Sequence, residues 1–194
     1  MMKKFLSLIL LSVVMVCAPP LKARGTQPVH EGEEEVSIKL KGLDGRSYDI
    51  KGMRGNVVLV SFGATWCQPC VAELRALEEL KKEYSAKPVK IFWINIQGDD
   101  EISDQGLREY VRKQKLTLTV LRDTAKLTYA QFSTRVRIPL VIFFDKSGHV
   151  AQPVRFGMAT PEMYKTMVRE RLDKLLAAQD AGNSASVEQR FVER

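Results

Sequence analysis

Residues that bind transition metals are scarce in this sequence, which has three cysteines and two histidines among 194 residues. A structural zinc site needs four such ligands, usually supplied as two closely spaced pairs. Cys67 and Cys70 form one pair, but neither His30 nor His149 stands at ligand spacing from it. We therefore expect no metal site, and we expect both histidines to be solvated.

The apolar segment at the N-terminus is too short to be a comfortable membrane span. It runs from Phe5 to Ala18, whereas a transmembrane helix needs ~20 apolar residues. Two lysines precede it and small residues follow it, which is typical of a secretory signal peptide. We predict a signal peptide over residues 1–23, cleaved after Ala23, with a retained membrane anchor as the alternative.

Cys17 lies inside this apolar segment and raises a third possibility, acylation as in a lipoprotein. The residue before it is Val16, whereas a lipoprotein signal normally has Gly, Ala or Ser there. We interpret Cys17 as part of a discarded signal, which leaves Cys67 and Cys70 as the one available pair. Because the basic start and short apolar segment predict export, we expect a periplasmic protein or one attached to the outer face of the cytoplasmic membrane, where disulfides can form.

Once the first 23 residues are set aside, the chain has only a small excess of positive charge. The formal net charge is +7, but Lys3, Lys4 and Lys22 lie in the first 23 residues, which contain no acidic residue. The remaining chain shows no clustered basic face with interleaved aromatic side chains, the pattern typical of nucleic-acid-binding proteins. We therefore expect no nucleic-acid partner.

Residues 35–178 carry the pattern of an α/β domain, which follows a polar leader (24–34) and precedes a flexible polar tail (179–194). Apolar, β-branched segments that predict strands buried on both faces alternate with helical periodicities. The strand segments are NVVLVSF (56–62), VKIFWINI (89–96) and PLVIFFD (139–145), and the last helix carries the apolar stripe Tyr164, Val168, Leu172 and Leu176. This alternation predicts a three-layer domain.

The segment SFGATWCQPC (61–70) places two cysteines directly after a predicted buried strand and at the start of a predicted helix. The free N–H groups and the dipole of a helix N-terminus stabilise a thiolate, so we expect the pKa of Cys67 to be low. Cys70 lies one turn further on, where it can attack a mixed disulfide formed at Cys67. Pro69 fits the first helical turn, which needs no N–H.

The segment VVLVSFGATWCQPCVAEL resembles the active-site segment of thioredoxin-fold proteins, in particular the exported TlpA/ResA-like branch. The upstream segment IKLKGLDGRSYDIKGMRGN, with its Asp44–Gly45 turn signal, is similar to the N-terminal hairpin of that branch. The resemblance covers residues 36 to 178. It implies a thioredoxin fold, with three α/β/α layers, a central mixed sheet and an N-terminal β-hairpin, and it implies thiol–disulfide oxidoreductase activity.

The segment RIPLVIFFDKSGHV resembles the second landmark of the family, a cis-proline loop that enters a strand. The resemblance implies that Pro139 is the cis-proline and packs beside the cysteines, with Ile138 before it. From the residues alone, Pro139 is equally a trans-proline that opens a strand.

Glu73 follows Cys70 by three residues and so shares its helix face. The related reductases carry a buried acidic residue at this place in WCxPCxxE, which implies proton exchange with the resolving cysteine. An exposed helix glutamate without a catalytic part is the alternative. The expected catalytic residues are Cys67, Cys70, Glu73 and Pro139, and the expected client-binding residues are Trp66, Gln68, Pro69 and Ile138.

Two positions depart from the family pattern. Ser61 stands near the place of a buried aspartate in thioredoxin, so proton handling is expected to fall to Glu73. Gly63 stands where the family commonly has an aromatic residue, so we expect a flatter or more open surface there.

The resemblance implies an exported reductant that is fed by a membrane thiol electron donor, for example in cytochrome c maturation. We expect client proteins with disulfides or thiols, a monomer, and no cofactor besides the Cys67–Cys70 disulfide. An oxidant or isomerase of the same fold, and a binding module with a static disulfide, are the alternatives. Whether the protein reduces or oxidises its clients depends on how far the reduced thiolate is stabilised. No residue in the sequence determines this.

Overall fold

The computed structural model describes residues 36–157 and 160–192. The predicted signal peptide and polar leader, with Cys17 and His30, therefore lie outside the described residues. The chain divides into two compact units at Glu34–Glu35, and all the elements below belong to the second unit. Within the described part of the chain, no helix combines the length and the apolar character needed to cross a membrane.

The described residues form seven strands and four α-helices, and the strand and helix segments predicted above are all present. The strands are β1 (Lys39–Gly42), β2 (Ser47–Asp49), β3 (Val57–Gly63), β4 (Val89–Asn95), β5 (Thr119–Arg122), β6 (Leu140–Phe144) and β7 (Val150–Phe156). The helices are α1 (Gln68–Glu83), α2 (Asp104–Lys113), α3 (Leu127–Ala130) and α4 (Pro161–Val192), and a short 3₁₀ turn covers Lys51–Met53.

The strands form one mixed sheet in the order β2-β1-β5-β4-β3-β6-β7. β3, β4 and β5 are parallel, whereas β6 runs antiparallel to β3 and β7 antiparallel to β6. The predicted N-terminal hairpin is formed by β1 and β2, and Gly45 in its turn has a φ of 81°, which suits a residue without a side chain. The mixed sheet and the hairpin are as predicted.

The sheet is covered on both faces, which gives the three predicted layers. One face packs against α1, α2 and α4, and its core includes Leu77, Trp93 and Val168. The opposite face packs Phe62 and its neighbours against Ile38, Ile50 and the segment around α3. All seven residues of β3 are buried, because this strand has neighbours on both sides and layers on both faces.

Helices α1 and α4 lie side by side on the first of these faces. Ion pairs join Lys165 to Glu79 at 2.7 Å and Arg169 to Glu83 at 2.8 Å. The Oγ1 atom of Thr160 accepts a hydrogen bond from a backbone N–H in the first turn of α4, at 3.2 Å, and so caps the helix. This packing carries the first turn of α4 over the first half of α1.

The helical backbone of α4 continues to Val192 and so includes most of residues 179–194, for which a flexible polar tail stays a prediction. The segment contains no proline, the residue that most strongly disfavours a helix interior. A polar helix face without an apolar stripe does not by itself end a helix.

Candidate active site

The turn between β3 and α1 is held by a buried side chain from the next strand segment. The Oε1 atom of Gln97 accepts hydrogen bonds from the backbone N–H of Thr65 at 2.7 Å and from its Oγ1 hydroxyl at 2.8 Å. Gln97 in turn accepts a hydrogen bond from Asn95 at 3.1 Å. The sequence offered no sign of this support, because Gln97 lies 32 residues beyond Thr65.

Cys67 and Cys70 are joined by a disulfide, with their Cα atoms 5.2 Å apart. Cys67 is the N-cap of α1, and its Sγ accepts a hydrogen bond from the backbone N–H of Cys70 at 3.2 Å. The same N–H, at the positive end of the helix dipole, can stabilise a thiolate on Cys67 after reduction. Cys67 retains 5% exposure and Cys70 retains none, so Cys67 is the more accessible of the two.

The expected client-binding residues surround this disulfide. Trp66 is 59% exposed, and Gln68 and Pro69 are exposed beside it. Ile138 packs against the two cysteines and is partly buried. Together these side chains form a largely apolar rim around Cys67.

Pro139 lies directly before the first residue of β6. The Ile138–Pro139 peptide bond is cis, as the resemblance implied. Antiparallel pairing of Phe62 with Leu140 brings Pro139, which is buried, to the end of β3 just before the active-site turn. The structure therefore brings together the two sequence landmarks, which are about 70 residues apart.

Glu73 is completely buried, so the alternative of an exposed helix glutamate is wrong. Its Oε2 accepts a hydrogen bond from the Ser61 hydroxyl and its Oε1 accepts one from the Tyr164 hydroxyl, both at 2.8 Å. Burial raises the pKa of Glu73 to about 7, and the two hydrogen bonds oppose that rise by stabilising the carboxylate. A carboxyl group with this pKa changes charge near neutral pH.

Tyr164 is a site residue that the sequence analysis missed. It was predicted only as a member of the apolar stripe of the last helix, and it is indeed buried there. Burial, and then the neighbouring Glu73 carboxylate, raise the pKa of Tyr164 well above its usual value, so its hydroxyl stays a donor. Ser61 likewise acts as a donor to Glu73, in keeping with the expectation that a serine there is no base.

Gly63 does not open the surface, so that expectation is wrong. It is buried, and a Cβ atom placed on it would lie 2.7 Å from Nε1 of Trp93 and 3.3 Å from Sγ of Cys70. Because side chains alternate along a strand, residue 63 points to the α1 side of the sheet, as Ser61 does. There the indole of Trp93 fills the space that a side chain at residue 63 would take.

Among the described residues, no three His, Cys, Asp or Glu side chains are grouped as a metal site. The side chain of His149 is 72% exposed, and its Nδ1 lies 3.9 Å from the carboxylate of Asp145.

The sequence is similar to a known protein family and to thioredoxin-like and thiol–disulfide oxidoreductase proteins of bacteria. The Redoxin family matches residues 30–161. The thioredoxin-like protein YneN of Bacillus subtilis (strain 168) is 29% identical over 145 residues, which are 75% of this chain and 80% of YneN. The thiol-disulfide oxidoreductase ResA of Bacillus thuringiensis subsp. konkukian (strain 97-27) is 26% identical over 139 residues, which are 72% of this chain and 77% of ResA.

The crystal structure of StoA from Bacillus subtilis is similar with a TM-score of 0.57 and 20% identity. The similarity covers 68% of this chain and 96% of StoA. Together with the mixed sheet and the helix layers, it confirms the predicted thioredoxin-like fold.

Proposed function

Since the chain belongs to the Redoxin family and is a thiol–disulfide oxidoreductase, we propose that it reduces disulfides of client proteins outside the cytoplasm. One arrangement carries this proposal: Cys67 at the start of α1 is bonded to the inaccessible Cys70, with the buried carboxyl group of Glu73 one turn further along the helix.

Reduction of a client begins with the reduced pair. The Cys67 thiolate attacks one sulfur of the client disulfide, the client S–S bond breaks, and the other client sulfur leaves as a thiolate. Cys70, as a thiolate, then attacks Sγ of Cys67 and releases the second client sulfur. The client has gained two electrons, and Cys67 and Cys70 have become the disulfide seen in the structure.

Glu73 is proposed to accept the proton that Cys70 must lose before this second attack. The two residues share one face of α1, and a pKa of about 7 makes the carboxylate a competent base near neutral pH. Tyr164 and Ser61 hold the carboxylate in place and are positioning residues.

The apolar rim of Trp66, Gln68, Pro69 and Ile138 is proposed to dock the client backbone beside Cys67. Trp66 contributes a large aromatic side chain to this rim, and 59% of it is accessible. Clients are proteins with disulfides or thiols, and we propose that the protein acts as a monomer and uses no cofactor besides the disulfide itself.

A thiol electron donor in the membrane is proposed to restore the reduced pair. The resemblance of the active-site segment to the TlpA/ResA-like reductases supports this direction of electron flow, and cytochrome c maturation is a suitable pathway. Export is supported by the basic start and short apolar segment of residues 1–23. Mass measurement of the N-terminus of the mature protein distinguishes cleavage, acylation at Cys17 and a retained anchor.

The reduction potential of the Cys67–Cys70 pair tests the proposed direction. Equilibration with glutathione, followed by trapping and mass analysis, should give a potential close to that of the reductant thioredoxin, about −270 mV. A value near that of the oxidant DsbA, about −120 mV, would identify an oxidant instead. Failure of the wild-type protein to reduce insulin at all would favour the alternative of a binding module with a static disulfide.

A further inference from the structure

The indole N–H of Trp93 is a buried donor without a hydrogen-bond partner within the described residues. Trp93 is completely inaccessible, so water does not satisfy this group from the surface. An unpaired buried donor costs free energy, and in native proteins such a group is rare enough to need an explanation.

The unpaired N–H lies next to the active-site sulfur atoms. In the parallel pairing of β3 with β4, Trp93 stands opposite Ser61, and Gly63 stands two residues further along the same face. The position of a Cβ atom on Gly63 would be 2.7 Å from Nε1 of Trp93 and 3.3 Å from Sγ of Cys70. The donor and the sulfur therefore both lie within contact distance of one position, which they can share only because residue 63 is a glycine.

We propose that the Trp93 N–H donates a hydrogen bond to Sγ of Cys70 whenever that sulfur is a thiolate, which is when opening of the disulfide releases it and again when it has lost its proton before attacking Cys67. This inference rests on the proposed redox function. When the electron donor's thiolate attacks Sγ of Cys67, the bond to Cys70 breaks and Cys70 leaves as a thiolate, taking the bonding electron pair. In the disulfide, Sγ of Cys70 carries no charge and is bonded to Cys67, which accounts for the N–H being unpaired in this state.

The neighbouring polar groups on α1 and α4 do not supply a hydrogen-bond donor for a Cys70 thiolate. Glu73 on α1 becomes negative near neutral pH and disfavours a second negative charge on Cys70. The hydroxyl of Tyr164 on α4 already donates its hydrogen bond to Glu73. The backbone N–H of Cys70 itself is directed to Sγ of Cys67. Among these groups, Trp93 alone has an uncommitted donor.

Tyr110 on α2 provides a matched control. Its ring packs on the indole of Trp93 with 5.9 Å between centroids, and its hydroxyl is also buried without a hydrogen-bond partner. None of its atoms is among the three heavy atoms nearest to the Cβ position at Gly63, which belong to Trp93 and Cys70. Tyr110→Phe therefore removes an unpaired buried donor from the same aromatic cluster and leaves the Trp93 N–H in place.

The first test titrates the cysteines of the reduced protein by NMR of ¹³Cβ-labelled cysteine. In Trp93→Phe the pKa of Cys70 should rise by about 1 to 2, which corresponds to one hydrogen bond to a charged group, while Tyr110→Phe should leave it unchanged. Replacement of Trp93 by benzothienylalanine, whose ring keeps the indole shape with sulfur in place of N–H, should give the same rise. An unchanged Cys70 pKa in both Trp93 variants overturns the proposal.

The second test compares thermal unfolding of the oxidised and the reduced protein at a pH above the Cys70 pKa found in the first test, where the reduced protein carries the Cys70 thiolate. Loss of the N–H should destabilise the reduced state and relieve the unpaired donor of the oxidised state, so the Tm difference between the two states should widen. A Trp93 that only fills space would lower both Tm values equally, and that result contradicts the proposal. Neither test needs a client, so an absence of insulin reduction by the wild-type protein would refute the proposed function separately.

Discussion

The hydroxyl of Tyr164 on α4 donates a 2.8 Å hydrogen bond to the carboxyl group of Glu73 on α1, across 91 residues of sequence. Both residues are completely buried or nearly so, and Ser61 donates a second hydrogen bond from β3. The carboxyl group is thus held by three elements of the fold. Its position one turn beyond Cys70 and its pKa of about 7 mean that a charge changes on this helix face near neutral pH.

The order of attack of the two cysteines can be tested by trapping. In Cys70→Ser, client proteins should accumulate as mixed disulfides on Cys67, because the resolving sulfur is missing. Cys67→Ser is the matched control and should trap few or no clients, since Cys70 is inaccessible. Non-reducing gels and mass spectrometry of the adducts measure both. Stronger trapping by Cys67→Ser would mean that the roles are reversed.

Glu73→Gln should slow the resolution step and leave the first attack intact. The amide keeps the shape of the side chain but accepts no proton, so we expect resolution to slow by about 100-fold. Mixed-disulfide formation through Cys67 should proceed at a near-normal rate. Stopped-flow kinetics of the two steps from about pH 5 to 9 would separate them. An unchanged resolution rate over this range would exclude the proton-exchange role.

Glu73 should also make the folded state less stable as the pH rises. Its pKa is raised from 4.5 to about 7 on folding, so between these values the unfolded state has released a proton that the folded state retains. The free energy of unfolding should therefore decrease through this range, by about 3 kcal/mol relative to Glu73→Gln. Urea unfolding at several pH values measures it. Parallel curves for the wild type and the variant would mean that Glu73 titrates normally.

Tyr164→Phe should move the pH dependence of resolution to higher pH. The lost hydrogen bond stabilises the carboxylate, so the pKa of Glu73 should rise further, by about 1. Tyr84→Phe is a suitable control, because the Tyr84 hydroxyl donates to Asp173 at 3.0 Å and also links α1 to α4. The control should lower stability without moving the pH profile. Equal profiles for both variants would assign Tyr164 a purely structural role.

The fold and the sulfur chemistry could be predicted from local patterns. A buried strand segment, a short turn and Cys67-Gln68-Pro69-Cys70 at a helix start lie within about fifteen consecutive residues, so neighbouring residues determine where the sulfur atoms stand. The hairpin was predictable for the same reason, because its turn and both strands are contiguous. The cis-proline prediction came from the family resemblance, since RIPLV alone is compatible with either isomer.

The partners of the buried polar groups were decided by the tertiary structure. Periodicity placed Tyr164 on the buried face of its helix, but only the packing of α4 on α1 directs its hydroxyl to Glu73. The strand segment predicted Trp93 as buried, but only the register of β3 with β4 brings its N–H to the space left by Gly63. The periodicity of apolar residues specifies which face of a helix or strand a side chain occupies. A hydrogen bond depends instead on the positions of two atoms from distant segments. Those positions exist only after the sheet register and the helix packing are established.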